Sequence, residues 1–423
     1  MTTSGTGAPE TGRARGEVGG ARASGGGLGH GGALGRDGGL RDDLADEASF
    51  GLEDLTEVLA AMVGEAAVER PRDGELITCR LGLDGENPET LTLLGARFGV
   101  SRDRARQLYT RAIGNLVRQA QATGLPDLTV FAQRYPLGWS DERLVRTLLA
   151  ETYASDTDIA AQDWSYLKLR LAGHDLQDAK RMAGFVFQRI AGWQQKGRWH
   201  LLPPVHPQEL PEGLLNPWLS RVEWGAGTPA PLPAAPARTL DLDDDGRGST
   251  FSEKLSREIT FDSALQARLL RLLDASEQVE TFQELPAAVT YEVDGFERLH
   301  HPTVAARFTD GRTALIDVIP LPHVAFHPNR VKSIAGRAYA HAHGWGWLVW
   351  TGSALGVADL AGRKVSTRHE NILRNRLAKG PLDWDELRRY RDETGIDPLD
   401  LSAMVLRHGW RWDRGPFRLS RTG

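Results

Sequence analysis

The sequence predicts a multidomain α+β protein with an all-α N-terminal half, an α/β domain and a small C-terminal module. Apolar residues recur at helical spacing as far as about residue 222, whereas short strand-like runs with turn signals begin after residue 251. A segment rich in Pro, Ala and Asp separates these regions at 226–250 and is predicted to be a linker. The length of 423 residues is sufficient for about two or three domains.

Residues 1–48 consist mostly of Gly, Ala, Arg, Ser and Thr, with almost nothing large and apolar. Such a segment cannot bury enough apolar surface to offset the entropy of ordering, so it is predicted to be a disordered tail. It also has no apolar core of a signal peptide, and no later run approaches the ~20 apolar residues of a membrane span. The sequence therefore predicts a cytoplasmic protein with no membrane partner.

The charge balance limits how this chain can contact nucleic acid. The net charge is −5, so a DNA-binding surface has to be a local basic patch and not the whole protein. A patch of this kind lies between Arg97 and Arg118, where Asp103 is the only acidic residue. The single cysteine, Cys79, excludes an intrachain disulfide framework.

Residues 49–122 are predicted to form a helix-turn-helix unit, which begins with an amphipathic helix over 49–70. Leu91, Leu94 and Phe98 place an apolar stripe on the first of two short helices. Gly99 allows a sharp turn, and Ser101 is a natural N-cap for the second helix. That helix carries arginines on its exposed face, at Arg102, Arg104, Arg106, Arg111 and Arg118. A helix of this type in this position enters the DNA major groove.

The run RLGLDGENPETLTLLGARFGVSRDRARQLYTRAIGNLVR closely resembles region four of primary-type bacterial sigma factors, over about residues 55–118. That module binds the upstream promoter hexamer and touches the polymerase core, so the resemblance implies double-stranded DNA and RNA polymerase as partners. Arg102, Asp103, Arg106 and Gln107 hold the positions that meet base edges, and Arg80, Thr90 and Arg111 hold those that meet phosphates. Arginine forks suit guanine edges and glutamine suits adenine, in agreement with this assignment.

Residues 123–225 are predicted to be a helical scaffold with no family resemblance. Its last helix carries an apolar and aromatic stripe at Met182, Phe185, Val186, Ile190 and Trp193. Stripes of this kind form a core or an interface. A dimerisation role is therefore one hypothesis for this region.

Residues 251–362 contain elements in the order α-β-β-β-α-β, which is that of the PD-(D/E)xK nuclease core. The predicted strand regions are VETFQELPAAVTYEV, FERLHHPTVAARF, TALIDVIPL and WGWLVWTG. Over about residues 255–352 the sequence resembles TnsA-type transposon end-cleaving nucleases. FDSALQARLLRLLD is similar to their opening helix, and ALIDVI is similar to their metal-binding strand.

The resemblance also predicts that this nuclease-like α/β domain is inactive. Gln266 stands where the family has a helical glutamate, Thr303 where it has an aspartate, and Ile319 where it has a lysine. Asp317 alone remains, and one carboxylate can bind a metal weakly but cannot assemble the charge that phosphodiester hydrolysis requires. We therefore expect no catalytic residue, cofactor or metal. The alternative is an active endonuclease of a transposon or defence system, in which Asp317 works with displaced partners among Asp262, Glu284 and Glu297.

Histidines cluster between residues 300 and 343, and a zinc site would need three or four of them to converge. They are His300, His301, His323, His327, His341 and His343. His341 and His343 are two residues apart on a predicted helix, so they point to different faces. Structural or surface roles are favoured over a metal site.

In residues 363–423 the sequence predicts three helices followed by a hairpin, a pattern that resembles a winged helix. The hairpin carries Arg411, Arg414, Arg418 and Arg421, which would suit minor-groove or phosphate contacts. A cap that completes the nuclease-like fold is an equally good prediction.

Together these features predict a sequence-specific DNA-binding protein, a transcriptional regulator located with the nucleoid. No segment resembles the promoter-melting helices of a complete sigma factor. A homodimer is a further expectation, because one helix-turn-helix reads few base pairs. The endonuclease and a protein-interaction adaptor with vestigial DNA binding are the alternative classes.

Overall fold

The computed structural model describes residues 55–86, 88–123, 128–153, 158–196, 211–238, 248–414 and 417–421. The predicted tail at 1–48 and the acidic half of the predicted linker lie outside these ranges. No helix in the described ranges is both long and apolar enough to cross a membrane. The described chain combines an N-terminal helical region with a mixed β-sheet and a C-terminal group of helices.

The helical region contains nine helices in the described ranges. They are α1 at 55–69, α2 at Pro71–Leu81, α3 at Leu91–Phe98, α4 at Arg102–Thr123, α5 at Leu128–Arg134, α6 at Asp141–Tyr153, α7 at Ala161–Leu171, α8 at Leu176–Lys196 and α9 at Pro211–Leu219. Pro71 follows the helix predicted over 49–70 and occupies the first turn of α2, where its missing N–H costs nothing. Helix α2 is not among the helices predicted from the sequence.

The turn between α3 and α4 follows from three local features. Thr90 caps α3 by accepting a hydrogen bond from the Leu93 amide at 3.2 Å. Gly99 ends α3 with a φ of 65°, a left-handed conformation that favours glycine. Ser101 caps α4 by accepting from the Arg104 amide at 3.2 Å, which confirms the predicted N-cap. A side chain at Gly95 would place its Cβ 2.8 Å from the Val100 carbonyl, so the two helices also require glycine there.

A four-stranded mixed sheet forms the centre of the α/β region. Its strands are β3 at Val279–Glu284, β6 at Val304–Phe308, β7 at Thr313–Val318 and β8 at Gly346–Trp350, in that spatial order. The pairs β3–β6 and β6–β7 are antiparallel, and β7–β8 is parallel. Helix α10 at Ala264–Ala275 packs on one face, and α11 at His327–Ala342 packs on the other and connects β7 to β8. The predicted order of helices and strands is therefore present around this sheet.

Two of the predicted strand regions are each divided in two. The run 279–293 forms β3 and then β4 at Val289–Val293, and the run 296–308 forms β5 at Phe296–His300 and then β6. The first break occurs at Leu285, whose φ of 45° is incompatible with a strand. Strands β4 and β5 pair with each other as an inserted hairpin, and a second hairpin of β1 at Gly248–Ser252 and β2 at Arg257–Phe261 precedes α10.

The C-terminal residues form three helices followed by a hairpin. Helices α13 at Thr367–Leu377, α14 at Trp384–Thr394 and α15 at Pro398–His408 precede the hairpin of β9 at Arg411–Asp413 and β10 at Arg418–Ser420. Leu382, between α13 and α14, forms an isolated antiparallel β-bridge with Leu419. The segment from Leu401 to Val405 is buried throughout. Leu401 and Met404 face the core of this module, whereas Ala403 packs with Ile319 and with Leu360 of α12 at Val357–Ala361.

One apolar core joins the helical region to the sheet. It runs from Leu55 through α4, α7 and α8 to α10 and the facing side of the sheet. The described part of the predicted linker, residues 226–238, lies against the opposite side. There the Ala230 amide donates to the His343 carbonyl at 2.8 Å, and the Ala237 amide donates to the Leu285 carbonyl at 2.7 Å. Residues 55–421 therefore form one compact body wherever they are described.

Candidate nucleic-acid interface

Helix α4 has one buried face and one exposed basic face. Ala105, Tyr109, Ala112, Ile113 and Leu116 are buried against the rest of the protein. The predicted base-reading residues Arg102, Asp103, Arg106 and Gln107 are exposed, as are Arg104 and Arg111. The periodicity of α4 therefore brings six of the eight predicted DNA-binding residues to the surface of one helix.

Two contacts between exposed side chains of α4 lie at the surface of the protein. The Arg106 Nη2 atom lies 3.7 Å from Asp103 Oδ1, and 67% of the Arg106 side chain is exposed. Arg104 donates to the Gln107 side-chain oxygen at 3.1 Å. Surface contacts of this kind are worth ~0–1 kcal/mol, so an incoming base or phosphate can replace them at little cost.

Arg80 and Thr90 have roles inside the fold instead. Arg80 is buried, and its guanidinium donates to the Asp163 carboxylate and to the Glu89 carbonyl, each at 2.8 Å. Thr90 is fully buried and uses its hydroxyl to cap α3. Both predicted phosphate-contacting side chains are therefore engaged within the fold and are not part of the exposed face of α4. Arg80 instead ties α2 to α7.

The carboxylate of Asp317, the one catalytic group that the nuclease resemblance predicts to be present, is held by protein groups. Asp317 is 3% exposed and lies at the end of β7. One of its oxygens is 2.7 Å from His300 Nε2, and the other accepts a hydrogen bond from the Thr303 hydroxyl at 3.4 Å. The Thr303 oxygen also accepts from the Val318 amide at 3.1 Å. Thr303, which replaces the expected aspartate, thus fastens the end of β7.

Two of the other positions considered for catalysis, Gln266 and Glu284, are also occupied by structural contacts. The Gln266 side-chain oxygen accepts from the Asp262 amide at 2.9 Å, which closes the first turn before α10. Glu284 is buried and binds both terminal nitrogens of Arg257, each at 2.6 Å. Glu297 lies opposite Glu292 on the β4–β5 hairpin, away from the four-stranded sheet. In the described ranges, no three His, Cys, Asp or Glu side chains are grouped so that they could hold a metal.

The clustered histidines make separate contacts. His341 Nε2 is 3.1 Å from the Glu223 carbonyl, and His343 Nδ1 is 2.8 Å from the Tyr339 carbonyl. Burial, together with the charge of Arg238, lowers the pKa of His301 below 6.5. Burial likewise lowers the pKa of His327, with a contribution from Arg411. These two imidazoles are therefore neutral at pH 7.

The arginines of the C-terminal hairpin fall into two groups. Arg411 binds both oxygens of Asp294 at 2.8 Å, which fixes the β9–β10 hairpin to the turn of the β4–β5 hairpin. Its hydrogen bonds with Asp294 and then Asp413 raise the pKa of Arg411 further above its ordinary value. Arg414 lies over the Phe326 ring, 4.7 Å from its centre. Arg418 and Arg421 are exposed.

The apolar and aromatic stripe predicted on the last helix of the scaffold is mostly buried in the core. Met182, Val186 and Ile190 are buried, and Phe185 is exposed on α8. The Trp193 side chain lies outside the described part of the chain.

Neither a comparison with protein-family models nor a comparison with curated protein sequences finds a match for this chain.

Proposed function

We propose that this chain is a sequence-specific DNA-binding protein that regulates transcription, with α4 as the helix that enters the major groove. The observation that carries the proposal is that Arg102, Asp103, Arg106 and Gln107 are exposed on one face of α4. Ser101 caps the start of this helix, and its opposite face is buried. Arginine can bind guanine through two hydrogen bonds, and glutamine can bind adenine in the same way. Arg104 and Arg111 add positive charge for backbone phosphates.

The nuclease-like region contributes binding and not cleavage in this proposal. Its support is the set of protein groups that occupy the carboxylates: His300 lies against Asp317, and Arg257 binds Glu284. A divalent metal would have to displace these partners before it could organise a phosphodiester. RNA polymerase and a second copy of the chain are the protein partners we propose. The former follows from the sigma-region-four resemblance, and the latter from the short reach of one helix-turn-helix.

The decisive experiment is selection of binding sites from a random duplex library, followed by genome-wide footprinting. We expect an enriched motif for the wild-type chain. Arg106→Ala should weaken binding by ~1–3 kcal/mol and relax one base position. Arg146→Ala is the matched control, because Arg146 is an exposed arginine on α6, outside the helix-turn-helix. No enriched motif, or a motif unchanged by Arg106→Ala, would refute the proposal and favour an adaptor.

A further inference from the structure

A cleft separates the exposed face of α4 from α7 and α8. Its volume is about 550 Å³. Ile113 of α4 and Ala183, Phe187 and Ile190 of α8 give it an apolar interior. Binding sites for small organic molecules have volumes of roughly 300–1,000 Å³ and are lined mainly by apolar side chains with a few polar groups. The α4–α8 cleft has both the size and the composition of such a site.

Tyr109 supplies a polar group inside this cleft. The residue is 4% exposed and lines the cleft. Its hydroxyl is buried and makes no hydrogen bond to any residue in the described ranges. A buried hydroxyl is normally hydrogen-bonded, because the loss of water costs free energy that a partner has to repay. Burial raises the pKa of Tyr109 well above its ordinary value, so the hydroxyl keeps its proton and can donate it to a ligand oxygen.

The charged groups that line the cleft favour an anion. Arg102, Arg106 and Lys180 are among them, together with the acidic residue Asp103. Asp163 also lines the cleft and is already bound to Arg80 at 2.8 Å. Asp158 is the remaining acid of the lining and lies just before α7. A negatively charged group near Lys180 would therefore meet an excess of positive charge.

We propose that the α4–α8 cleft binds a small organic anion with an apolar body, which accepts a hydrogen bond from Tyr109 and places its charge near Arg102, Arg106 and Lys180. The regulatory half of this proposal rests on the proposed function. Because Arg102, Asp103 and Arg106 line the cleft and are also the proposed base-reading residues, the anion and DNA compete for the same side chains. Binding of the anion therefore weakens binding of DNA, and the coupling is reciprocal.

Anilinonaphthalene sulfonate is a suitable probe, because it joins an apolar aromatic body to an anionic group with acceptor oxygens. Its fluorescence is titrated with the full chain. We expect saturable binding at one site and a loss of affinity of at least tenfold in Lys180→Glu. Arg189→Glu is the matched control, since Arg189 is an exposed cation on the same helix that does not line the cleft. Equal binding by all three proteins would overturn the proposal.

Tyr109→Phe tests the hydroxyl separately. We expect this variant to unfold at the same temperature as the wild type or a higher one, because it removes a buried polar group, and to bind the probe several-fold more weakly. A lower unfolding temperature with unchanged probe affinity would show that the hydroxyl serves the fold, and would overturn its assignment as a ligand group.

The DNA arm uses the site selected by the wild-type chain. Saturating probe should lower the affinity of wild-type protein for that site and leave the affinity of Lys180→Glu much less affected. If the probe binds in the cleft but no DNA motif is ever selected, the proposed function fails and the cleft remains a ligand site. If DNA binds and the probe does not, the cleft proposal fails and the function remains.

Discussion

The carboxylate of Glu57 accepts a hydrogen bond from the backbone amide of Phe417 at 3.2 Å. Glu57 belongs to α1, beside the helix-turn-helix, and Phe417 belongs to the β9–β10 hairpin. Both are buried. The proposed DNA-reading unit and the winged-helix-like module are therefore held together by a contact that no water molecule can readily replace.

This contact should contribute measurably to stability. Glu57→Ala leaves a buried amide without its acceptor, so we expect the free energy of unfolding to fall by ~1–3 kcal/mol. Glu65→Ala is the matched control, because Glu65 is an exposed residue of the same helix. Urea denaturation gives both values. Equal stability of the two variants would contradict a stabilising role for the Glu57–Phe417 bond.

Two features of Gly85 disfavour a side chain there: its positive φ and its close approach to the C-terminal hairpin. A comparison with Gly311 separates the stability costs of the two. Gly85 has a φ of 83°, and a Cβ there would lie 3.0 Å from the Arg414 carbonyl oxygen. Gly311 has nearly the same φ, 84°, with no neighbouring atom within 4 Å. Gly311→Ala should cost ~1–2 kcal/mol, the penalty for the left-handed conformation. Gly85→Ala should cost more, and thermal denaturation of both variants measures the difference. Equal costs would show that the hairpin yields without strain.

Restoring a lysine at the position of Ile319 should damage the fold. Ile319 is 6% exposed and packs with Ala403 and Leu360, so an ammonium there would be buried without a partner. Ile319→Lys is expected to cost on the order of several kcal/mol. Ile334→Lys is the control for the same chemical change, because Ile334 is 59% exposed. Chemical denaturation compares them. A stable Ile319→Lys protein that cuts DNA would reverse the inactive interpretation.

The wild-type chain should leave supercoiled DNA intact in the presence of Mg²⁺ or Mn²⁺. The physical reason is that His300 and Thr303 already engage both oxygens of Asp317. Gel electrophoresis of plasmid topoisomers measures nicking and linearisation. Cutting that disappears in Asp317→Ala would support the endonuclease alternative. Cutting that persists in Asp317→Ala would not depend on Asp317 and would not support that alternative.

The scaffold contains a pH-dependent source of stability. Burial tends to raise the pKa of Glu151, but Lys168 and Arg134 outweigh this effect and hold the pKa below 4.5. The carboxylate accepts from Lys168 Nζ and from the Tyr135 hydroxyl, each at 2.7 Å. A folded-state pKa below the unfolded value gives stability that is present above about pH 4.5 and is lost as the pH falls through the folded-state pKa.

Glu151→Gln should therefore lose ~3–5 kcal/mol at pH 7, because it leaves buried cations without their anion. Its stability should also depend less on pH in the acidic range than that of the wild type. Glu142→Gln is the control on the same helix, since Glu142 is exposed and its pair with Arg146 is a surface pair. Denaturation at several pH values tests both expectations. If Glu151→Gln kept the same loss of stability at acidic pH as the wild type, that loss would be due to other carboxylates.

The helix-turn-helix was predictable because its signals are local. Gly99 and Ser101 set the turn through their own backbone and side-chain chemistry, and the apolar spacing of α4 determines which residues are exposed. The burial of Arg80 was not predictable from spacing, because it depends on Asp163, which lies 83 residues away on another helix. Sequence reasoning also missed the α4–α8 cleft, which exists only after α8 has packed beside α4.

The order of elements in the α/β region was predictable, but its divisions were not. Leu285 adopts a positive φ that its residue type rarely shows, so the break between β3 and β4 has no signal at that position. The C-terminal module was predicted to be either a winged helix or a cap on the nuclease-like fold, and the packing of α15 is compatible with both. The buried residues from Leu401 to Val405 pack partly in the core of the C-terminal module and partly against Ile319 and Leu360. Helical periodicity alone does not show which of these two surfaces each residue contacts.

The Glu57–Phe417 bond has a consequence for biosynthesis. The chain makes the helix-turn-helix first, and about 290 residues separate the end of α4 from Phe417. At translation rates of ~5–20 residues per second, roughly 15–60 s pass before the partner of Glu57 leaves the ribosome. During that interval the nascent helix-turn-helix unit leaves the surface of α1 around Glu57 uncovered, and this surface is buried only after the hairpin has been made. The element that is synthesised early is thus among the last to reach its native environment.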